Sequence, residues 1–256
     1  MEAIAKLLDP YSIRARLFPA IICLLPLLGL FALFHWAIPD GIEKTLVFVV
    51  VSSALAFFTT GVVRQRGKAY EPVFLERTGG WQTTIMLRRR DDSIDGATKE
   101  RYYAALSDLT GMTLPSAEDE LANPDGADNI YRSATKALLE ARRDEKFGLV
   151  HAENASYGFW RNLMGIRYIA LTLAAVILTI AVFMFVIGDG DFSSVSSFRQ
   201  HIPDNASSLL YCAACELAYI IVLFALVNER IVVANARNYS YALLRTLDAP
   251  EPVPGG

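Results

Sequence analysis

Hydrophobic positions in this chain gather into long runs from which charge is excluded. No Asp, Glu, Lys or Arg occurs in residues 17–38, 45–63 or 168–188, and residues 202–227 are interrupted by Asp204 and Glu216 alone. Each run has about the ~20 residues that a helix needs to cross the hydrocarbon of a bilayer. The pattern predicts an all-α, polytopic membrane protein with four transmembrane helices and a helical cytoplasmic domain between spans two and three. It excludes a soluble globular enzyme.

Shorter patterns fill in the remaining segments. Over residues 1–8, Ile4, Leu7 and Leu8 share one helical face while Glu2 and Lys6 lie off it, which predicts a short amphipathic helix. Two readings of it stand: an anchor lying among the headgroups, or a movable gate. Asp9-Pro10 reads as an N-cap with proline at the first helical position, so a second helix starts there and enters span one. Pro19 and Pro26 within it each remove a backbone hydrogen bond and leave a carbonyl for a neighbour or water. The short turn Pro39-Asp40-Gly41 predicts a tight antiparallel hairpin of spans one and two. Ser52, Ala56 and Thr60 then recur at the small-xxx-small spacing of close helix contacts.

Residues 64–167 lack strand-like alternation. Thr78-Gly79-Gly80 breaks the helix leaving span two, residues 81–90 restart it, and residues 97–110 carry an apolar stripe of Tyr103, Leu106 and Leu109 or Thr110. Residues 114–127 read as a loop with one short turn from Ser116. Residues 128–167 read as helix, with Ile130, Leu138 and Leu139 inward and Arg142, Arg143 and Lys146 outward. Residues 209–247 contain no Gly or Pro. As a single rod they would reach ~58 Å at 1.5 Å per residue. The expected organisation is an amphipathic helix and hinge at 1–16, a transmembrane hairpin at 17–63, a cytoplasmic helical domain at 64–167, spans three and four at 168–227, a cytoplasmic helix extension at 228–248 and a disordered tail at 249–256.

The net charge of −3 says little, but its distribution says more. Lys and Arg number three before span one, one between spans one and two, sixteen in the central segment, one between spans three and four, and three after span four. By the positive-inside rule both termini and the central segment are cytoplasmic. Span one exceeds the usual 7–15-residue signal core and lacks a small-x-small cleavage site, so it reads as a retained anchor. Within the central segment, 16 acidic side chains balance the 16 basic ones, which argues against general capture of nucleic acid.

Chemistry is sparse. Cys23, Cys212 and Cys215 lie in spans and form no disulfide framework or zinc quartet. His35, His151 and His201 stand apart, and no phosphate-cradling glycine motif occurs. No enzyme and no cofactor is expected. Glu216 requires an account, since an ionisable side chain in an apolar span costs ~2.5 kcal/mol or more. With Cys212 one turn before and Tyr219 one turn after, it forms a polar stripe. The stripe reads as a neutral or hydrogen-bonded helix contact, as a pore lining that attracts cations in an oligomer, or as a proton relay. Arg88, Arg89 and Arg90 form a basic run that suits either anionic lipid at a solvated helix end or a phosphate or oligonucleotide ligand.

Three segments carry a family resemblance: Asp9-Pro10-Tyr11-Ser-Ile-Arg14-Ala-Arg16-Leu-Phe-Pro19, Glu76-Arg77-Thr-Gly79-Gly80-Trp81, and Asn154-Ala-Ser-Tyr157-Gly158-Phe159-Trp-Arg161-Asn162-Leu-Met-Gly165-Ile-Arg167. Together they resemble the transmembrane effectors of Hailong anti-phage defence systems. The resemblance implies a tetrameric ion channel of the bacterial inner membrane with an N-terminal helical gate. It implies that an oligodeoxyadenylate from a partner nucleotidyltransferase holds the channel closed until infection. Ile4, Leu7 and Leu8 then become the gate, while no ligand-site residue follows from the family. The third segment also has a plain physical reading as an aromatic and basic interfacial belt. A non-conducting membrane anchor that recruits a cytoplasmic partner is the alternative function.

Overall fold

The computed structural model describes residues 9–27, 29, 42–188 and 206–248. The protein is all-helical, with no strand among the described residues. The first helix, α1, joins Pro10–Ser12, a π-turn over Ile13–Leu17, and Phe18–Leu24. After it come α2 (Ile42–Thr78), α3 (Gln82–Leu87), α4 (Gly96–Thr110), α5 (Ala117–Ala122), α6 (Pro124–Ala141), α7 (Gly148–Gly188), α8 (Ala206–Leu226) and α9 (Glu229–Leu244). Among the described residues, two helical stretches are long and apolar enough to cross a membrane, Gly148–Val186 and Ser208–Leu226. The amphipathic helix at 1–8, with Ile4, Leu7 and Leu8, the Pro39-Asp40-Gly41 turn and the tail lie outside the described residues.

The chain divides into two units, one from 1–70 with 159–228 and one from 71–158 with 229–256. In the first, the usual arrangement of a soluble core is inverted. Large apolar side chains such as Val50, Phe58, Phe183 and Phe224 are exposed, whereas Ala15, Ala20, Ala170, Ala174 and Ala181 are buried. Helices that gain nothing from burying oil against oil associate through small residues that allow close approach. Close approach differs from the expected Ser52, Ala56 and Thr60 series, of which only Thr60 is buried. One close backbone approach lies instead at Gly165, where an added Cβ would stand 2.6 Å from the backbone oxygen of Arg66.

The second unit packs around Leu87, Leu106, Tyr131, Ala134, Leu138, Leu243 and Leu244, all fully buried. Its turns follow their local chemistry. Gly79 and Gly80 take φ of +79° and +120°, conformations that stop α2 where the sequence indicates. Asp95 caps α4 by accepting from the Thr98 N–H at 2.9 Å, and Gly111 ends it at φ +67°.

Three expectations are corrected here. The short turn expected from Ser116 is present as α5, started by a reciprocal capping box of Ser116 and Asp119, but the rest of 114–127 is not all loop, since α6 begins at Pro124 with Asn123 as its cap. The helix expected over 128–167 stops at Ala141; a 3₁₀ turn, Glu145–Phe147, with Asp144 accepting from the Lys146 N–H at 3.0 Å, separates it from α7. The rod expected over 209–247 is interrupted between Leu226 and Glu229, where the Asn228 side chain donates to the Ala225 carbonyl at 3.0 Å and competes with helix continuation.

Candidate functional site

A proline has no N–H, so the carbonyl four residues earlier loses its helical donor. In α1 the carbonyls that lose this donor are Ala15 and Ile22, and Ile22 keeps a longer backbone bond from the Leu25 N–H at 3.3 Å. Both are taken by side chains from other helices of the same unit. Asn162 Nδ2 on α7 donates to the Ala15 oxygen at 2.6 Å, and the Tyr219 hydroxyl on α8 donates to the Ile22 oxygen at 2.8 Å. Asn162 is buried, and its Oδ1 would stand 1.9 Å from a Cβ at Gly67, so only glycine on α2 leaves it room. Asp9 opens α1 as its sequence indicates, with its carboxylate accepting from the Tyr11 N–H at 2.9 Å and the Ser12 N–H at 3.3 Å.

The polar stripe of α8 faces this proline-broken helix. Glu216 is only 3% exposed and Cys212 is also buried. A Cβ on Gly29, beyond the end of α1, would stand 2.5 Å from Glu216 Oε1 and 3.1 Å from Cys212 Sγ, so the chain that continues α1 lies directly against the carboxyl group. Glu216 Oε2 is buried without a hydrogen-bond partner among the described residues. Glu216, Cys212 and Tyr219 are therefore brought together, as their spacing indicates, but within one chain and under α1 and its continuation rather than on an open face. The three cysteines are free. No group of three His, Cys, Asp or Glu residues able to hold a metal occurs among the described residues.

Two members of the basic run, Arg88 and Arg89, are engaged by the protein itself. Arg88 grips Asp128 through Nε at 2.9 Å and Nη2 at 2.7 Å, and Nη2 also donates to the Gly79 carbonyl at 2.7 Å. The hydrogen bond to Asp128 holds the Arg88 guanidinium above its ordinary pKa. Arg89 pairs with Glu100, donates to the Pro115 carbonyl at 3.1 Å, and lies 3.8 Å over the Tyr103 ring. Arg90 has a mostly exposed side chain and a long 3.9 Å approach to Glu120. Arg88 and Arg89 thus tie α3 and its following turn to α4 and α6.

Beneath them lies a buried polar node that no sequence signal marked. Glu120 accepts from the Arg89 N–H at 2.6 Å and from the Tyr131 hydroxyl at 2.9 Å, and burial raises the Tyr131 pKa. Lys99 is buried with Nζ donating to the Arg88 carbonyl at 2.8 Å and to the Asp91 carbonyl, and burial lowers its pKa. The Tyr103 hydroxyl donates to the Leu87 carbonyl at 2.6 Å, and burial pushes its pKa up to about 12. Charges were visible in the sequence, but which of them would turn inward depends on the packing of α3 to α6.

Comparison with protein families, with curated proteins and with solved structures returned no match to this chain.

Proposed function

We propose that this chain is one subunit of a gated, homo-oligomeric ion channel in a bacterial inner membrane. It has four spans, both termini in the cytoplasm, and a helical cytoplasmic domain, and it acts in anti-phage defence by depolarising the host. A nucleotide or oligonucleotide made by a partner nucleotidyltransferase regulates it, four subunits surround the pore, and the chain is not an enzyme. The carrying observation is a buried carboxyl group, Glu216, covered by a helix that two prolines have weakened. An ionisable group in an apolar span faces a bundle interior or a water path, and here α1 and its continuation stand between that group and any such path. Movement of α1 breaks two side-chain hydrogen bonds, each worth about 0.6 kcal/mol on average and up to ~1.7. That cost is within reach of a ligand-coupled change, and it uncovers Glu216 to attract cations.

The test is to purify the chain in detergent, measure its mass, and reconstitute it in liposomes loaded with potassium. The expected result is an oligomer of four that releases potassium when residues 1–8 are deleted, with release cut by Glu216→Gln. A monomer with no ion release from either form overturns the channel and leaves the non-conducting anchor.

A further inference from the structure

Within the second unit, α3, the turn after it and α9 enclose a cavity of about 310 Å³. This lies at the lower end of the range of small-molecule sites. Its walls combine an apolar side, Ile85, Met86 and Val233, with Gln82, Asp91 and Arg237. The charges do not cancel within the cavity. Asp91 accepts from the Ser93 N–H at 3.0 Å and from its hydroxyl, and its charge acts on the buried Lys99. Arg237 has no ion pair or hydrogen bond among the described residues. Gln82 is 9% exposed, and its side-chain amide likewise has no hydrogen-bond partner among the described residues. That amide is reached by solvent rather than sealed in the core, so it is open to an occupant of the cavity.

We propose that this cavity binds a small organic phosphate monoester. The guanidinium fork of Arg237 and the amide of Gln82 supply N–H donors, and the three terminal oxygens and higher charge of a phosphate monoester use them more fully than the two oxygens of a carboxylate. The body of the ester lies against Ile85, Met86 and Val233. The site is distinct from Arg88 and Arg89, whose donors are taken up by Asp128, Glu100 and backbone carbonyls. The binding claim stands whether or not the chain conducts ions, because its test reads binding alone.

The experiment is calorimetry of the full chain in phosphatidylcholine nanodiscs with three probes: phenyl phosphate, inorganic phosphate and phenol. Phenyl phosphate is expected to bind more tightly than either fragment. Arg237→Gln, a change at an exposed position, is expected to weaken it at least tenfold, and Gln82→Leu to weaken it several-fold. Arg230→Gln, outside the cavity lining, leaves it unchanged. If phosphatidic acid added to the discs displaces phenyl phosphate, the ester is a lipid headgroup; if it does not, the ester is a soluble metabolite, and the site stands in both cases. Absence of phenyl phosphate binding at millimolar concentration, or equal binding by wild type and Arg237→Gln, overturns the proposal.

Discussion

Pro19 and Pro26 show how single residues set the terms for distant ones. Each deletes a backbone donor, and a carbonyl that has lost its helical donor in apolar surroundings gains from a side-chain replacement. Tyr219→Phe keeps the ring and removes the donor to Ile22; Asn162→Leu removes the donor to Ala15. Either change is expected to raise potassium release from liposomes about threefold to twentyfold, since ~0.6–1.7 kcal/mol per bond is at stake. Unaltered release in both variants would refute the idea that these bonds hold α1 down. The glycines give a contrasting pair. A Cβ on Gly29 meets the far end of the flexible Glu216 side chain, which can swing aside, whereas a Cβ on Gly165 meets the fixed carbonyl of Arg66. Gly29→Ala is therefore expected to fold normally and leak, and Gly165→Ala to lose about 1–3 kcal/mol of stability from overpacking. Thermal unfolding in detergent, run beside the flux assay, separates the two.

At the scale of elements, helix boundaries were governed by side chains that bond locally. Asp9-Pro10 and Thr78-Gly79-Gly80 were legible because caps and positive-φ glycines act within a few residues. The missed boundaries are of the same kind but lie inside stretches of mixed composition. Pro124 was read as a loop residue although it sits at the first turn of α6, and Asn228 was read through although it ends α8. The caps make the second unit acid-sensitive. Bonds from Ser116 hold the Asp119 carboxyl, and bonds from Thr98 hold the Asp95 carboxyl, below the ordinary aspartate value of 3.8. A carboxylate whose pKa is depressed by folding stabilises the native state above its unfolded pKa, and that stabilisation is lost as pH falls through the folded value. Helicity followed by circular dichroism should hold from neutrality to about pH 4 and decline below it as far as these caps control it. Ser116→Ala removes one partner of the capping box and is expected to cost about 1 kcal/mol, with a smaller acid-induced loss than wild type. An identical acid profile in Ser116→Ala would show that the cap does not govern it.

For the whole molecule, the two units carry different chemistry. Among the described residues, one has an apolar exterior, small buried residues and a covered carboxyl group, Glu216; the other has a mixed core stitched by Arg88, Arg89, Glu120 and Lys99. The C-terminal helix α9 belongs with the second unit through Leu243 and Leu244, a partnership that sequence order hides. If the proposed channel is correct, removing residues 1–8, with Ile4, Leu7 and Leu8, raises potassium release several-fold and slows growth of expressing cells. Normal growth, with membrane insertion verified, would sink the gate while leaving the oligomer to be judged by mass.

The division between what was readable in the sequence and what was not follows from the range of the forces. Helical class, the apolar runs and the isolation of Glu216 could be read along the chain, because the cost of placing charge in an apolar medium falls on each residue separately. The partners of Ala15 and Ile22 stand 147 and 197 residues away, and the engagement of Arg88 and Arg89 by Asp128 and Glu100 depends on how four short helices pack. Hydrogen bonds and ion pairs require contact within a few ångströms, and only the tertiary structure brings such distant residues that close.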